Sequence, residues 1–87
     1  MTKQEKLISR LLQRPADFEY DEARTLLLRL GYYEETRGRT SGSRVAFINN
    51  ETKHIIRLHK PHPKNTLKRY QVEQLLEELL KQGVIKP

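Results

Sequence analysis

Apolar residues recur with the spacing of an amphipathic helix in three segments of the chain. The segments cover residues 6–13, about 20–30 and roughly 68–82. In each one, apolar side chains return after three or four residues, which places them on one face of a helix. These positions are Leu7, Ile8, Leu11, Leu12, Ala23, Leu26, Leu27, Leu30, Val72, Leu75, Leu76, Leu79 and Leu80. The pattern predicts three helices, each with one buried face.

Residues at the ends of these segments are ones that start or stop a helix. Pro15 restricts the backbone of the residue before it and ends the first helix. Asp21 and Glu22 favour the start of the second helix through the helix dipole. Gly31 and Gly83 follow the second and third helices, where glycine commonly adopts the left-handed conformation that ends a helix.

Between the second and third helices the pattern changes to the alternation of β-strands. Strands are predicted over residues 32–39, 43–48 and 54–59, with a turn at 40–42 and a polar hairpin loop at 49–52. The order of elements is then α-α-β-β-β-α. A three-stranded antiparallel sheet with helices on one face is an α+β fold of two layers.

Alternation also predicts the register of the second and third strands. Val45 and Phe47 are expected to face the helices, as are Ile56 and Leu58 on the neighbouring strand. Because side chains alternate with a period of two, only pairings that keep like faces together are allowed. The shortest hairpin of this kind pairs Phe47 with Ile56 and Val45 with Leu58.

The same register predicts which residues share the open face of the sheet. Arg44 would lie opposite His59, and Ala46 opposite Arg57. Directly opposed side chains have Cβ atoms about 5 Å apart, so Arg44 and His59 would be neighbours. A slip of two residues would keep the faces and change the partners.

The chain has 87 residues, a net charge of +6 and no cysteine. This length corresponds to a single domain. The lack of cysteine excludes a disulfide framework and a thiolate nucleophile or metal site. No apolar run approaches the roughly 20 residues that span a bilayer, and the N-terminal residues do not resemble a signal peptide. We therefore expect a soluble, cytoplasmic protein without a membrane partner.

The positive charge is concentrated in the centre of the chain. Residues 31–69 contain nine Lys or Arg and three Glu, and the rest of the chain carries eight residues of each sign. A concentrated basic segment favours a polyanionic partner such as a nucleic acid, whose phosphates it attracts. The alternative is a surface that only aids solubility.

Several short motifs resemble those of one protein family. They are Leu-Gly-Tyr at residues 30–32, Thr-Ser-Gly-Ser-Arg-Val at 40–45 and His-Lys-Pro-His-Pro at 59–63, before the last helix. Their order and spacing resemble the HicA family of toxins, the mRNA interferases of bacterial type II toxin–antitoxin pairs. The resemblance places a HicA-like core at residues 20–82 of a single domain, with residues 1–14 as an N-terminal helical extension.

The resemblance implies both a fold and an activity. The fold would be similar to the double-stranded-RNA-binding domain, α-β-β-β-α, and the family cleaves RNA, mostly mRNA, under the control of a HicB-type antitoxin that covers the active site. The family's catalytic histidine directly follows a Gly-Ser pair. Here that pair is Gly42-Ser43 and the next residue is Arg44. The family's later His-Pro matches His62-Pro63.

Metal-independent RNA cleavage needs a base for the 2′-hydroxyl, a cation for the charge on phosphorus and an acid for the leaving oxygen. Histidine suits acid–base work because its ordinary pKa is near 6.5. The candidates for catalysis are His59 and His62, although both could equally bind backbone or phosphate. Arg44, Arg57, Lys60, Ser43 and Lys64 are the candidates for binding phosphate.

Other residues with relevant chemistry are given structural or open interpretations. His54 is interpreted as structural or simply exposed. Tyr32, Tyr33 and Tyr70 either stack on bases or belong to the core and its rim. The three histidines have no carboxylate between them, so we predict no metal site, and no cofactor is expected.

Three functions are compatible with these features. The first is a toxin endoribonuclease that cleaves mRNA without a metal and is neutralised by a HicB-like antitoxin. The second is a non-catalytic RNA-binding module that uses the same basic face, and the third is an interaction domain for a strongly acidic protein. The apolar stripe of the first helix could pack on the domain, pair with a second copy as a homodimer, or contact the antitoxin in a hetero-oligomer.

Overall fold

A computed structural model of the chain describes residues 2–35, 44–61 and 64–86, and for Arg44 it describes the backbone only. Within these ranges the elements follow the predicted order: α1 (Lys3–Leu12), α2 (Tyr20–Arg29), β1 (Tyr32–Glu35), β2 (Arg44–Asn49), β3 (Ile55–His59) and α3 (Arg69–Lys81). The strands form an antiparallel sheet with the order β1-β2-β3. The predicted α+β fold class is confirmed.

The start of α1 differs from the prediction by three residues, because a capping box begins the helix earlier. The Thr2 hydroxyl accepts a hydrogen bond from the Glu5 backbone N–H at 3.1 Å, and the Glu5 carboxylate accepts one from the Thr2 N–H at 2.9 Å. These contacts satisfy two amides that the helix itself leaves unpaired. The helix ends at Leu12, and Arg14, directly before Pro15, has a φ of 51° that no α-helix allows.

The other ends lie within one residue of the prediction wherever the structure describes them. Gly31 and Gly83 adopt φ angles of +97° and +75°, as expected for glycines that end helices. The last predicted residues of the first strand, 36–39, and the predicted turn at 40–42 lie outside the described residues. In the ranges that are described, each helix is too short and too polar to cross a bilayer.

The predicted register of the central hairpin is confirmed. The pairs of β2 and β3 are Arg44 with His59, Val45 with Leu58, Ala46 with Arg57, Phe47 with Ile56, and Ile48 with Ile55. Val45, Phe47, Ile56 and Leu58 are buried, together with the apolar stripes of the helices. One face of the sheet therefore forms the core with the helices, as the alternation indicated.

The core also contains side chains that the apolar pattern did not identify. Phe18 is fully buried, and Leu67 is nearly so. The backbone segments before α2 and α3 pair with each other: the Leu67 N–H donates to the Phe18 carbonyl at 2.9 Å and the Tyr20 N–H to the Asn65 carbonyl at 2.8 Å. These two bonds fix the otherwise irregular segment that leads into α3.

The N-terminal helix packs on the domain, which was one of the three open alternatives. Leu7 and Leu11 are buried in the common core. On its other side, the Arg10 guanidinium donates to both carboxylate oxygens of Glu22 at 2.9 and 3.1 Å and lies 3.4 Å from Asp17. Helix α1 is thus joined to α2 by apolar packing and by a two-point ion pair.

If α1 is an integral part of the core, Leu11→Ala will strongly destabilise the protein. The side chain is fully buried, so its removal should lower the free energy of unfolding by about 2–5 kcal/mol. The matched control is Leu28→Ala, since Leu28 is 41% exposed on α2 and its truncation should cost less than about 1 kcal/mol. Urea denaturation measures both. Equal stability of the two variants would show that α1 contributes little to the core.

Candidate functional site

The sheet has an open face, opposite the helices, that carries the residues of functional interest. On β3, Ile55, Arg57 and His59 are exposed and alternate with the buried Ile56 and Leu58. The alternation fixes the direction of these three side chains through the core packing of their neighbours. The open face divides into an apolar part and a cationic part.

The apolar part is a row of three residues that crosses all three strands. Tyr33 of β1 pairs with Ile48 of β2, which in turn pairs with Ile55 of β3. Tyr33 and Ile55 are 38% and 41% exposed. We refer to Tyr33, Ile48 and Ile55 as the apolar row.

The cationic part lies at the other end of the central hairpin, and we refer to Arg44, Arg57 and His59 as the cationic end. The register places Arg44 directly opposite His59, and Ala46 opposite Arg57. Arg57 and His59 are exposed. An imidazole and a guanidinium thus lie two residues apart on one strand, with a second arginine position on the adjacent strand.

Arg57 and His59 also line a cleft between β3 and α3. Its other walls are Tyr70 and Gln74 of α3, and its volume is about 360 Å³. We refer to it as the edge cleft. Because Tyr70 and Gln74 are separated by one helical turn, both reach the cleft from the same side of α3.

A buried glutamine fixes the position of β3 relative to α3. The Gln71 side-chain amide donates to the His59 carbonyl at 3.1 Å, and its oxygen accepts a bond from the Lys68 N–H at 3.2 Å. Gln71 is only 4% exposed. Gln71 was not among the predicted site residues, although a polar residue beside the apolar stripe near a helix start is a usable signal.

Lys60, a predicted phosphate ligand, lies apart from the cationic end. It is exposed, and its ammonium nitrogen is 5.9 Å from the centroid of the Tyr20 ring on the helix side of the sheet. Lys64 is exposed in the segment before α3. Of the other predicted site residues, Ser43 and His62 lie outside the described residues.

The Tyr20 ring belongs to a cluster that joins α2 to β1. The Tyr20 hydroxyl donates to Glu34 at 3.0 Å, and the Arg24 guanidinium donates to the other Glu34 oxygen at 2.8 Å. Burial, followed by the bond to Glu34, raises the pKa of the Tyr20 hydroxyl well above its ordinary value. Burial alone would raise the pKa of Glu34, but the bonds from Arg24 and Tyr20 outweigh it and lower that pKa. Glu34 is therefore an ionised acceptor in this cluster.

His54 has a structural role, in agreement with one of its two interpretations. Its Nδ1 lies 2.8 Å from the Tyr32 hydroxyl and its Nε2 lies 2.8 Å from a Glu78 carboxylate oxygen. Since a carboxylate oxygen accepts, Nε2 donates to Glu78, while Nδ1 shares a hydrogen bond with the Tyr32 hydroxyl. The ring joins β1 and the β2–β3 loop to α3. Among the residues that the structure describes, no three His, Asp or Glu side chains form a group able to hold a metal.

Comparison with known proteins identifies the functional class and the family of this protein. The model of a family described as the HicA toxin of bacterial toxin–antitoxin systems matches residues 20–82. This range contains α2, the sheet and α3, and α1 lies outside it. The protein is a toxin of the toxin–antitoxin class, which implies an antitoxin partner. It belongs to the HicA toxin family. No curated protein and no solved structure matches the chain significantly.

Replacing His54 tests its structural role. His54→Ala removes two hydrogen bonds and leaves the partly buried Glu78 and the buried Tyr32 hydroxyl without this partner, so the free energy of unfolding should fall by about 1–3 kcal/mol. His59→Ala removes an exposed ring and should change it by less than about 0.5 kcal/mol. Urea denaturation at neutral pH compares the two. If His59→Ala lowered the free energy of unfolding more than His54→Ala does, the structural role of His54 would be contradicted.

Glu34 should make stability depend on pH in the acidic range. Its pKa is lower in the folded chain than its ordinary value, so the unfolded chain binds a proton first as the pH falls. Stability is complete above the ordinary glutamate pKa, about 4.3, and is lost as the pH falls through the folded value. Glu34→Gln should flatten this part of the profile in urea denaturation measured between about pH 6 and pH 3. The control is Glu77→Gln, at an exposed position; if its profile flattens as much, Glu34 is not the group responsible.

Proposed function

We propose that this toxin is an endoribonuclease that cleaves mRNA at the cationic end without a metal ion. The observation that carries the proposal is the register of β2 and β3, which pairs Arg44 with His59 while Arg57 is exposed on the same face. An accessible imidazole, with an exposed arginine two residues away on the same strand and a second arginine position across the ladder, combines a group that transfers protons with groups suited to bind phosphate. Membership of the HicA toxin family supports the same conclusion.

The proposed reaction is a transfer of the phosphodiester within the RNA. His59 removes the proton from a 2′-hydroxyl, and the 2′-oxygen attacks the adjacent phosphorus. The bond from phosphorus to the 5′-oxygen breaks, and His62, three residues further along, returns a proton to that oxygen. The products are a 2′,3′-cyclic phosphate and a 5′-hydroxyl end. Arg44 and Arg57 stabilise the charge that develops on the phosphoryl oxygens.

Additional cations elsewhere on the surface of the domain would extend the binding of a phosphate backbone. Lys60, Lys64, Lys68 and Arg69 are all exposed, and Ser43 is a further candidate to donate to phosphate. Lys68 and Arg69 occupy the start of α3, where no acidic residue lies in the first turn. Positive charges at this end oppose the helix dipole. Their presence favours an anionic ligand on this side of the domain.

The antitoxin is proposed to be HicB-like and to cover the open face. The apolar row offers exposed apolar surface on the same face, with Ile55 two residues from Arg57 along β3. A partner that combines apolar side chains with carboxylates would satisfy both parts, since complementary charges steer and orient association. Bound there, it would exclude RNA from His59 and form a toxin–antitoxin hetero-oligomer.

A second candidate function is a non-catalytic RNA-binding module. Arg44 stands directly after Gly42-Ser43, at the position where the family resemblance places a catalytic histidine. Arginine remains protonated at any working pH and cannot act as a base. In this alternative the cationic end holds RNA and no bond is cleaved.

Expression in bacteria distinguishes the two functions. The full chain is induced alone beside His59→Ala and His62→Ala, and growth and bulk mRNA are followed together. The endoribonuclease proposal expects growth arrest with loss of mRNA, and it expects each histidine variant to abolish both. With purified protein and RNA in EDTA, loss of the base should slow cleavage by about 10²- to 10⁴-fold. Arg29→Ala, an exposed cation on α2, is the control and should cleave like the parent.

The Arg44→His variant decides the alternative. If it alone arrests growth, the parent chain is a silent RNA-binding copy of the family site. If neither the parent nor any variant is toxic but the purified parent binds RNA in low salt, the protein is a non-catalytic RNA-binding module. Cleavage that stops in EDTA and returns with a divalent ion would overturn the metal-free reaction.

A further inference from the structure

We infer that the edge cleft is a subsite for one unpaired nucleotide, whose base stacks on Tyr70 and whose phosphate contacts Arg57. The inference rests on the proposed function, because it assumes that RNA occupies the neighbouring cationic end. It adds a specific requirement: the substrate must present a single-stranded nucleotide at the edge of the sheet, next to His59.

Tyr70 is exposed without a structural reason for it. It is 58% exposed, the most of any large apolar side chain in the described ranges. It makes no hydrogen bond or ring contact with any residue that the structure describes. Tyr20 and Tyr32, by contrast, are buried, and their hydroxyls bond to Glu34 and His54. An accessible aromatic ring of this kind is a surface on which an unpaired base can stack.

A hydrogen bond joins the two sides of the cleft. Gln71, the residue after Tyr70, bonds to the His59 carbonyl at 3.1 Å and so connects the start of α3 to the end of β3. The backbone positions that carry Tyr70 and His59 are therefore held close to each other. The volume of about 360 Å³ lies near the lower end of the roughly 300–1,000 Å³ typical of small-ligand sites.

The side chains in the cleft match the parts of a nucleotide. Tyr70 offers a ring face for the base, and Arg57 offers a guanidinium for the phosphate. Gln74, one turn further along α3, carries an amide that can both donate to and accept from a base edge. His59 lies in the same cleft. A nucleotide seated here would adjoin the phosphate that the proposed reaction cleaves.

Stacking on Tyr70 requires a base with a free face. In a duplex each base is already covered by its neighbours, whereas unpaired nucleotides can turn out and stack on aromatic side chains. The edge cleft therefore favours single-stranded RNA over a duplex of the same sequence. This preference is independent of the net charge, which attracts both forms.

The test uses the full chain and RNA that cannot be cleaved. A short single strand with 2′-O-methyl riboses and one 2-aminopurine is titrated by fluorescence anisotropy, with the matching duplex as comparison. Tyr70→Ala should weaken binding of the single strand about 5- to 100-fold, while Tyr70→Phe keeps the ring face and binds like the parent. Leu28→Ala, an equally conservative loss of exposed apolar surface on α2, is the control. Quenching of 2-aminopurine should be lost in Tyr70→Ala and retained in Tyr70→Phe.

The salt dependence separates this inference from the proposed function. Arg57→Ala should lower the slope of log Kd against log salt by about 1, whereas Tyr70→Ala should leave the slope unchanged. If the parent binds RNA but Tyr70→Ala binds it as tightly, the subsite is wrong and the proposed function stands. Tighter binding of the duplex would also overturn the subsite. If the parent binds neither form, both proposals fail.

Discussion

The pairing of β2 with β3 determines the core and the candidate site together. Phe47 lies opposite Ile56 and is fully buried, while Arg57, the next residue on β3, is exposed. A slip by one residue would turn Arg57 inward and Ile56 outward, because side chains alternate with a period of two. Burying an unpaired guanidinium costs several kcal/mol, in addition to the roughly 1.5–3 kcal/mol lost for each large apolar side chain exposed. The chemistry of the open face is therefore held in place by the packing of the opposite face.

Helix α3 secures this hairpin at both of its ends. At one end, Gln71 bonds to the carbonyl of His59, and at the other, Glu78 bonds to the ring of His54 just before the strand begins. The two contacts lie about two turns apart on α3, which corresponds to roughly 10 Å along its axis. Together they determine both the position of α3 along β3 and its angle to that strand. Because Tyr70 is the residue before Gln71, the position of its backbone at the edge cleft depends on the bond between Gln71 and His59.

The periodicity of apolar residues was sufficient to predict the order of the elements and the register of β2 and β3. The features that it did not predict depend on interactions that leave no periodic pattern in the sequence. Apolar spacing identifies which side of a helix or strand is buried, so Phe47 and Ile56 were placed correctly from sequence. It does not report backbone hydrogen bonds between irregular segments, which is why the burial of Phe18 and Leu67 was missed. The start of α1 was predicted too late because the apolar stripe begins only at Leu7. The capping-box residues Thr2 and Glu5 mark the true start of the helix in the sequence. The edge cleft was not predictable, since it depends on how α3 lies across the edge of the sheet.

The binding of phosphate and the transfer of a proton, both proposed for the open face, make different demands on its residues. Binding of a phosphate backbone would draw on charge spread over many positions, including exposed lysines around the start of α3, and would tolerate the exchange of one residue. Proton transfer instead requires a group with a suitable pKa within hydrogen-bonding distance of one atom. Arg44 could serve the first of these functions and not the second, because arginine stays protonated and cannot act as a base. In the described part of the open face, the only imidazole is that of His59, directly across the ladder from Arg44. A face of this kind can lose or relocate its base and still present Arg57 to an anionic ligand, because the register that exposes Arg57 does not depend on which residue carries the proton.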